Sequence, residues 1–240
     1  MKTHLTALVA FAIASAVGGA HAVGVPGQGD WVTTLLPRDL DGNAANGPEA
    51  FYDTALNISW LRNANVNGLM NWTAANTWAN TLVVNGVAGW RLPTMVDTGA
   101  PGCDFSFAGA YDCGFNVQTA TSEMAHLWYV TLGNKSYYWP VSGVSGQPGW
   151  GTTNTGNFQS LVQSSAYWSG LQYAPNPANA WLFGTYQGNQ NDAVKSDVWN
   201  ALAVRPGDVA AVPEPRAAIL MLAGLGVLGF LARRRKDANV

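Results

Sequence analysis

An apolar run of sixteen residues, Ala217 to Ala232, follows Pro213-Glu214-Pro215 and closes on four basic residues, Arg233-Arg234-Arg235-Lys236. A bilayer core about 30 Å thick needs roughly 20 helical residues to cross, so the run is short for a permanent anchor. The basic end obeys the positive-inside rule and predicts insertion with the C-terminus in the cytoplasm and the rest of the chain outside. A short apolar tail with a polar motif before it and a basic stop after it has the logic of a removable anchor signal, inserted transiently and then processed. The alternative is an ordinary C-terminal membrane anchor. Gly224, Gly226 and Gly229 spell G-x-G-x-x-G inside the run. No βαβ unit surrounds them and no acidic residue lies about 20 positions on, so they read as small residues of a membrane helix rather than a dinucleotide site.

These tail residues resemble the PEP-CTERM sorting signal of Gram-negative bacteria. The resemblance implies recognition by an exosortase, a membrane-embedded cysteine transpeptidase-like enzyme of which this chain is the substrate. It also implies transient residence in the inner membrane and a final place at the cell surface or in the extracellular matrix. At the other end, Met1 to Ala22 carries Lys2 and His4, an apolar stretch from Leu5 to Val17, and Ala20-His21-Ala22. That is a secretory signal peptide, with signal peptidase cleavage predicted between Ala22 and Val23. The expected organisation is a signal peptide over 1–22, a secreted domain over 23–211 and a sorting signal over 212–240. The secreted part, about 190 residues, suits one domain with a sizeable core.

All eleven tryptophans fall in that secreted part, which carries six basic side chains against twelve carboxylates, a net charge of about −6. A nucleic-acid partner is excluded on this reading, since such partners need a basic face. The aromatic content is too high for a disordered chain, while abundant Gly, Asn, Ser and Thr describe a loop-rich extracellular domain. Cys103 and Cys113 are the two cysteines. In an oxidising compartment they are expected to form one disulfide, contributing about 3 kcal/mol by loop-closure arithmetic. A zinc or redox site is the alternative, and their spacing fits neither C-x-x-C nor a zinc knuckle.

Local signals follow in order. Asp39-Leu40-Asp41-Gly42-Asn43 predicts a turn whose side chains cap their own backbone. The alternative is a calcium loop using Asp39, Asp41 and Asn43, with Glu49 following; the glycine stands at the fourth position rather than the sixth of an EF-hand. Calcium is thus the one cofactor considered and no resident cofactor is expected. Phe51-Tyr52-Asp53 and Leu56 to Leu61 predict a hairpin with Leu56, Ile58 and Trp60 on one face. Asn71 precedes Trp72, Ala75, Trp78, Ala79 and Leu82 at helical spacing and is a suitable N-cap. A second helix is signalled by Thr121 or Ser122 as cap, Met124, Leu127, Trp128 and Leu132 on one face, and Gly133 as stop. His126, the secreted part's one histidine, lies on it and is expected to be structural, since a functional imidazole needs partners. The Gly-, Ser- and aromatic-rich segment from Lys135 to Gly156 has no clear period and is expected to form a binding loop. Ala166 to Ser169, Ala180 to Gly184 and Ala201 to Pro206 predict short strands separated by polar, Asn-rich turns.

The Ser59-Trp60-Leu61 hairpin, the Trp72 helix, Trp90-Arg91-Leu92-Pro93-Thr94, Tyr167-Trp168-Ser169, Ala180-Trp181 and Val204-Arg205-Pro206 occur in the order of the DUF1566, or Lcl C-terminal, family, which this part of the chain resembles over about residues 50 to 207. The family is similar to C-type-lectin-like and formylglycine-generating-enzyme-like folds. The resemblance therefore implies an α+β domain, two helices on a twisted antiparallel sheet with long loops, flanked here by an N-terminal signal helix and a C-terminal hydrophobic helix. Gly170 after Ser169 departs from the family pattern, and Asp97 to Asn116 has the look of an insertion. Arg91 and Arg205 are expected to tie loops together through carbonyls and a carboxylate rather than to bind ligand.

The functional expectation is a non-enzymatic surface or matrix protein that binds exopolysaccharide or acts as scaffold, with Trp139 and Trp150 as candidates for stacking on sugar faces. Glu-Pro-Asn is absent and Trp199-Asn200 runs into Ala201, which argues against calcium-bridged sugar binding. The alternative is a secreted carbohydrate-active enzyme using two carboxylates. Glu49 and Glu123 are the secreted part's two glutamates, no motif pairs either with an aspartate, and G-x-S-x-G is absent, so no catalytic residue is assigned.

Overall fold

The computed structural model describes residues 29–100, 112–140, 144–209 and 223–225. The described residues form strands β1 (Leu35–Arg38), β2 (Ala50–Asp53), β3 (Ile58–Leu61), β4 (Gly114–Phe115), β5 (Ala166–Gln172), β6 (Asn179–Gly184), β7 (Asn189–Val194) and β8 (Val204–Pro206). The helices are few: α1 (Trp31–Thr34), α2 (Trp72–Thr81), a 3-10 turn over Thr119–Thr121, and α3 (Glu123–Ala125), which widens into a π-helical turn at His126–Thr131. The fold is mixed α and β, with two antiparallel sheets of order β1-β2-β3-β8 and β4-β7-β6-β5.

The predicted hairpin is β2–β3, with Phe51 opposite Trp60 and Asp53 opposite Ile58. Its turn is closed by Asp53, whose Oδ1 accepts from Ala55 N (3.0 Å) and Leu56 N (3.1 Å), and by Asn57 in the left-handed region at φ 53°. Asp53 is fully buried, and its second oxygen accepts from the indole of Trp60 at 3.2 Å. The expectation of a one-sided strand is corrected: every residue of β3 is buried, with Ile58, Trp60 and Leu61 in the larger core cluster and Ser59 Oγ donating to Gly207 O.

Asn71 caps α2 as expected, its Oδ1 accepting from Ala74 N at 2.9 Å. Ala75 and Ala79 pack with Leu92, Trp168, Ala180 and Leu182, so α2 covers one face of the second sheet. Ser122 caps the other helix at Ala125 N, but the ten-residue α-helix expected there is three α residues followed by a π turn. Met124, Leu127, Trp128 and Leu132 are buried as predicted. They join Tyr167, Phe183, Trp60 and Trp90 in the larger core cluster. Side chains alternate across a strand, so Tyr167 and Trp168 serve opposite faces of the second sheet.

The expected single sheet is two. Asn200 still follows β5, with Trp168 N donating to Asn200 O and Asn200 N to Ala166 O, whereas from Ala203 the chain pairs with β3, Leu61 N donating to Ala203 O at 2.9 Å. The chain thus changes sheets within a few residues, and pairing is divided there. Trp90 to Thr94 bridges the same boundary. Arg91 exchanges both backbone bonds with Val204 at 2.8 Å, and Pro93 O accepts from Gly170 N at 2.8 Å, at the irregularity between Trp168 and Gln172 in the β5–β6 ladder.

Tyr167 is fully buried, with its hydroxyl accepting from Val162 N at 2.7 Å, and desolvation pushes its phenol up to about 12. Burial also raises the phenol of Tyr129. A raised folded-state value means that the fold holds the neutral form. Its stabilisation is complete below the ordinary tyrosine range near pH 10 and is lost as pH climbs from there towards the folded-state value, by about 1.4 kcal/mol per pH unit for each such group. Chemical denaturation at pH 9, 10 and 11 is expected to show stability falling only above about 10, and Tyr167→Phe is expected to shallow that fall.

Candidate functional site

The segment predicted as a binding loop is held from beneath by side-chain amides. Asn134 Oδ1 accepts from Thr153 N and Asn154 N at 2.9 Å each, and its Nδ2 donates to Asn154 O. Asn154 Nδ2 reaches Leu132 O at 2.8 Å. The buried Gln147 donates to Ser136 O and Tyr138 O, and the indole of Trp128 donates to Thr152 Oγ1, which in turn donates to Thr185 O. The described parts of the segment are thereby held in place, because their backbone groups are matched by side chains at its base.

On this base stands a chain of rings in edge-to-face contact. Tyr186 meets Trp150 at 5.5 Å, Trp150 meets Tyr137 at 4.8 Å, Tyr137 meets Tyr138 at 5.2 Å, and Tyr138 meets Phe115 at 4.6 Å between centroids. The chain runs from buried Phe115 to Tyr186, which is 52 % exposed. Of the two predicted ligand-stacking tryptophans, Trp150 is half-buried within this strip, while Trp139 is 45 % exposed in the adjoining turn, its N bonded to Val144 O. Sequence reasoning missed Tyr137 and Tyr186. Tyr137 lay inside the expected loop, whereas Tyr186 arrives from the β6–β7 turn, and no local pattern links it to Trp150.

The other candidates are structural ties. Arg91 grips Glu123 with both Nη atoms (2.7 and 2.8 Å) and also donates to Leu92 O, while Glu123 Oε2 accepts from Thr94 N. Arg205 donates to Ala88 O and Pro206 O. Arg91 thus bonds a carboxylate and a carbonyl, and Arg205 two carbonyls. Trp90, Leu92, Tyr167 and Trp168 are buried. His126 is half-buried at the start of the π turn, and its buried Nε2 has no hydrogen-bond partner among the described residues.

Asp39 to Asn43 forms the predicted self-capping turn. Asp39 Oδ1 accepts from Asp41 N and Gly42 N, Asp41 Oδ1 from Asn43 N, and Asn43 Oδ1 from Ala45 N. Asp41 is held below the usual carboxylate range, first by the Asn46 amide (2.8 Å) and then by the Asn43 N–H. Asp39, Asp41 and Glu49 bring carboxylate oxygens within 4.8 Å of one another, a set that could take a cation, but each already accepts a bond from the turn itself. Cys113 is buried and no described cysteine is free; Cys103 lies outside the described residues.

The folded part ends beside the tail. Arg38 holds Asp208 through Nε and Nη2 at 2.6 and 2.7 Å, and Val209 is buried. Residues 211–236 match the PEP-CTERM protein-sorting motif. The PEP-CTERM span takes in Pro213-Glu214-Pro215 and the basic residues Arg233 to Lys236 and begins two positions after Val209. Such a motif marks an exported protein with a C-terminal membrane-anchoring sorting signal, processed by exosortase and ending at the cell surface. Among the described residues no helix is long and apolar enough to cross a membrane. The predicted apolar helix over 217–232 lies outside them except for Ala223 to Leu225, which are helical and exposed; the signal segment and the Ala22–Val23 junction also lie outside. No curated protein matches the chain.

Proposed function

We propose that this is a non-enzymatic surface or matrix protein that binds polysaccharide along the Tyr137–Trp150–Tyr186 strip, with Trp139 at its edge. The observation that carries the reading is the strip itself: rings held in fixed edge-to-face contact on a hydrogen-bonded base and open to solvent at Tyr186. Rings ordered in advance lose little freedom when a sugar face stacks on them. The non-enzymatic part is supported by the glutamates, Glu123 being bound to Arg91 and Glu49 to Leu40 N, and by the lack of an orienting partner at His126 Nε2. The DUF1566-like, lectin-related architecture is supported by the way Trp90 to Thr94 couples to β8 and β5. A glycan array of the secreted protein, with and without calcium and including the producing strain's own polysaccharide, tests the binding. A saturable ligand is expected, weakened about tenfold or more by Trp150→Ala; silence on every glycan would leave scaffolding without recognition.

The maturation scheme belongs to the same proposal: cleavage after Ala22 by signal peptidase, removal of the tail by exosortase, and a Cys103–Cys113 disulfide. Intact mass spectrometry of the surface form, before and after reduction and alkylation, is expected to show a chain beginning at Val23, lacking the basic end, and taking up alkyl groups only after reduction. A retained Arg233 to Lys236 or free thiols would refute the corresponding step.

A further inference from the structure

A pocket of about 350 Å³ lies where the β2–β3 ladder ends. Glu49 and Arg62 stand opposite each other there, Arg62 N donating to Glu49 O at 2.9 Å just beyond the Ala50–Leu61 pair. Opposite charges so placed across two strands ordinarily attract, yet these two side chains turn elsewhere. Glu49 Oε2 accepts from Leu40 N at 2.6 Å, and Arg62 Nη1 donates to Asn46 O and Pro48 O at 2.9 and 3.1 Å. Arg38 shows what the other edge of a guanidinium does, gripping both oxygens of Asp208 with Nε and Nη2. Among the described residues nothing bonds that Nε–Nη2 edge of Arg62. Among the described residues the Gln159 amide, Asn63 Nδ2 and Glu49 Oε1 also lack a partner, and Leu82 and Val84 supply an apolar wall.

We propose that this pocket binds a hexuronate ring. The planar Nε–Nη2 edge matches a carboxylate bidentately, while Glu49 Oε1 and the amides of Asn63 and Gln159 offer acceptors and donors for ring hydroxyls. The aliphatic wall receives the C–H face. A neutral hexose leaves the guanidinium edge unmatched, and an α-amino acid uses Arg62 and Glu49 but leaves both amides idle. The pocket volume falls within the range of small-ligand sites. None of its residues belongs to the aromatic strip, so this site neither needs that strip nor fails with it.

The test is titration of the surface form with D-glucuronate, D-glucose and glycine, followed by calorimetry and amide chemical shifts. Glucuronate is expected to saturate and to bind at least about tenfold tighter than glucose, with Arg62→Lys erasing about that factor because it retains charge but loses the fork. Gln159→Ala, which removes an exposed side chain with no hydrogen bond to the described residues, is expected to weaken glucuronate about threefold, and Trp150→Ala to leave it unchanged. Arg62 also holds the turn at Asn46 to Pro48, so if Arg62→Lys fails to fold, Gln159→Ala decides. Equal affinity for glucose or glycine, no saturation by any probe, or full-strength binding by a folded Arg62→Lys or by Gln159→Ala would overturn the proposal.

Discussion

Trp168→Ala is expected to lower the unfolding free energy by about 5 kcal/mol, a third or more of the stability of a domain of this size. The side chain is fully buried between α2 and the second sheet, against Ala75, Ala79, Leu92 and Leu182. Truncating a buried Trp costs about 3–5 kcal/mol in lost transfer energy and residual cavity. The indole also donates to Met70 O at 2.8 Å, and a carbonyl left without its partner adds about 1–3 kcal/mol. Domains of this size are stable by only about 5–15 kcal/mol. Urea denaturation is the measurement, with Trp139→Ala as the exposed control, expected to change stability by less than about 0.5 kcal/mol. Trp168→Phe, which retains a ring but not the donor, should fall between. Near-equal midpoints for the Trp168 and Trp139 variants would mean that the α2 interface contributes little.

The second large effect lies at the Arg91–Glu123 pair. Arg91 is 31 % and Glu123 15 % exposed, so water screens the pair only in part. Glu123→Ala removes both ends of a bidentate grip, strips Thr94 N of its acceptor and deletes a carboxylate from the first turn of α3. Breaking a buried pair by removing one partner costs about 3–5 kcal/mol; with this exposure, about 2–3 kcal/mol is expected. Arg91→Ala should cost a similar amount. In the double variant the losses should fall short of additivity by about 1 kcal/mol or more, the mark of residues that act on each other. Additive losses would show that Arg91 and Glu123 serve their neighbours separately, and a wild-type midpoint for either single variant would remove the pair as a tie between Trp90–Thr94 and α3.

What the sequence declared was carried by short-range chemistry. Asn71 could be named as a cap, and the second cap narrowed to Thr121 or Ser122, because a cap is decided within three residues, and Asp39 to Asn43 as a turn because its carboxylates bond their own backbone. The ties at Arg91 and Arg205 were anticipated in kind, though not the identity of Glu123 as partner. What stayed hidden depended on distant chain. β7, with the sequence Asn189-Gln190-Asn191-Asp192-Ala193-Val194, resembles a polar turn. Its buried Gln190 is satisfied by Ser122 Oγ and Asp112 O, so the strand is polar because its inward contacts are hydrogen bonds. β1 and β4 are short strands without alternating signals of their own, completed by β2 and β7. Within the π turn Trp128 packs against Tyr129 and Phe183, and the 3.6-residue pattern cannot report such a turn. Trp150 could be singled out as an aromatic in a loop, but its embrace by Tyr186 required the β6–β7 turn to be placed.

The order of the first sheet also sets a timetable. β3 is a central strand whose outer neighbour, β8, is the last strand before the sorting motif. A chain threaded outward N-terminus first can form the β2–β3 hairpin early, but it leaves one edge of β3 unpaired until residues 204–206 have crossed. Closing a loop of that length is slow relative to local pairing, and an open strand edge invites pairing with another chain meanwhile. The first sheet therefore cannot be completed until residues 204–206 are available to pair with β3.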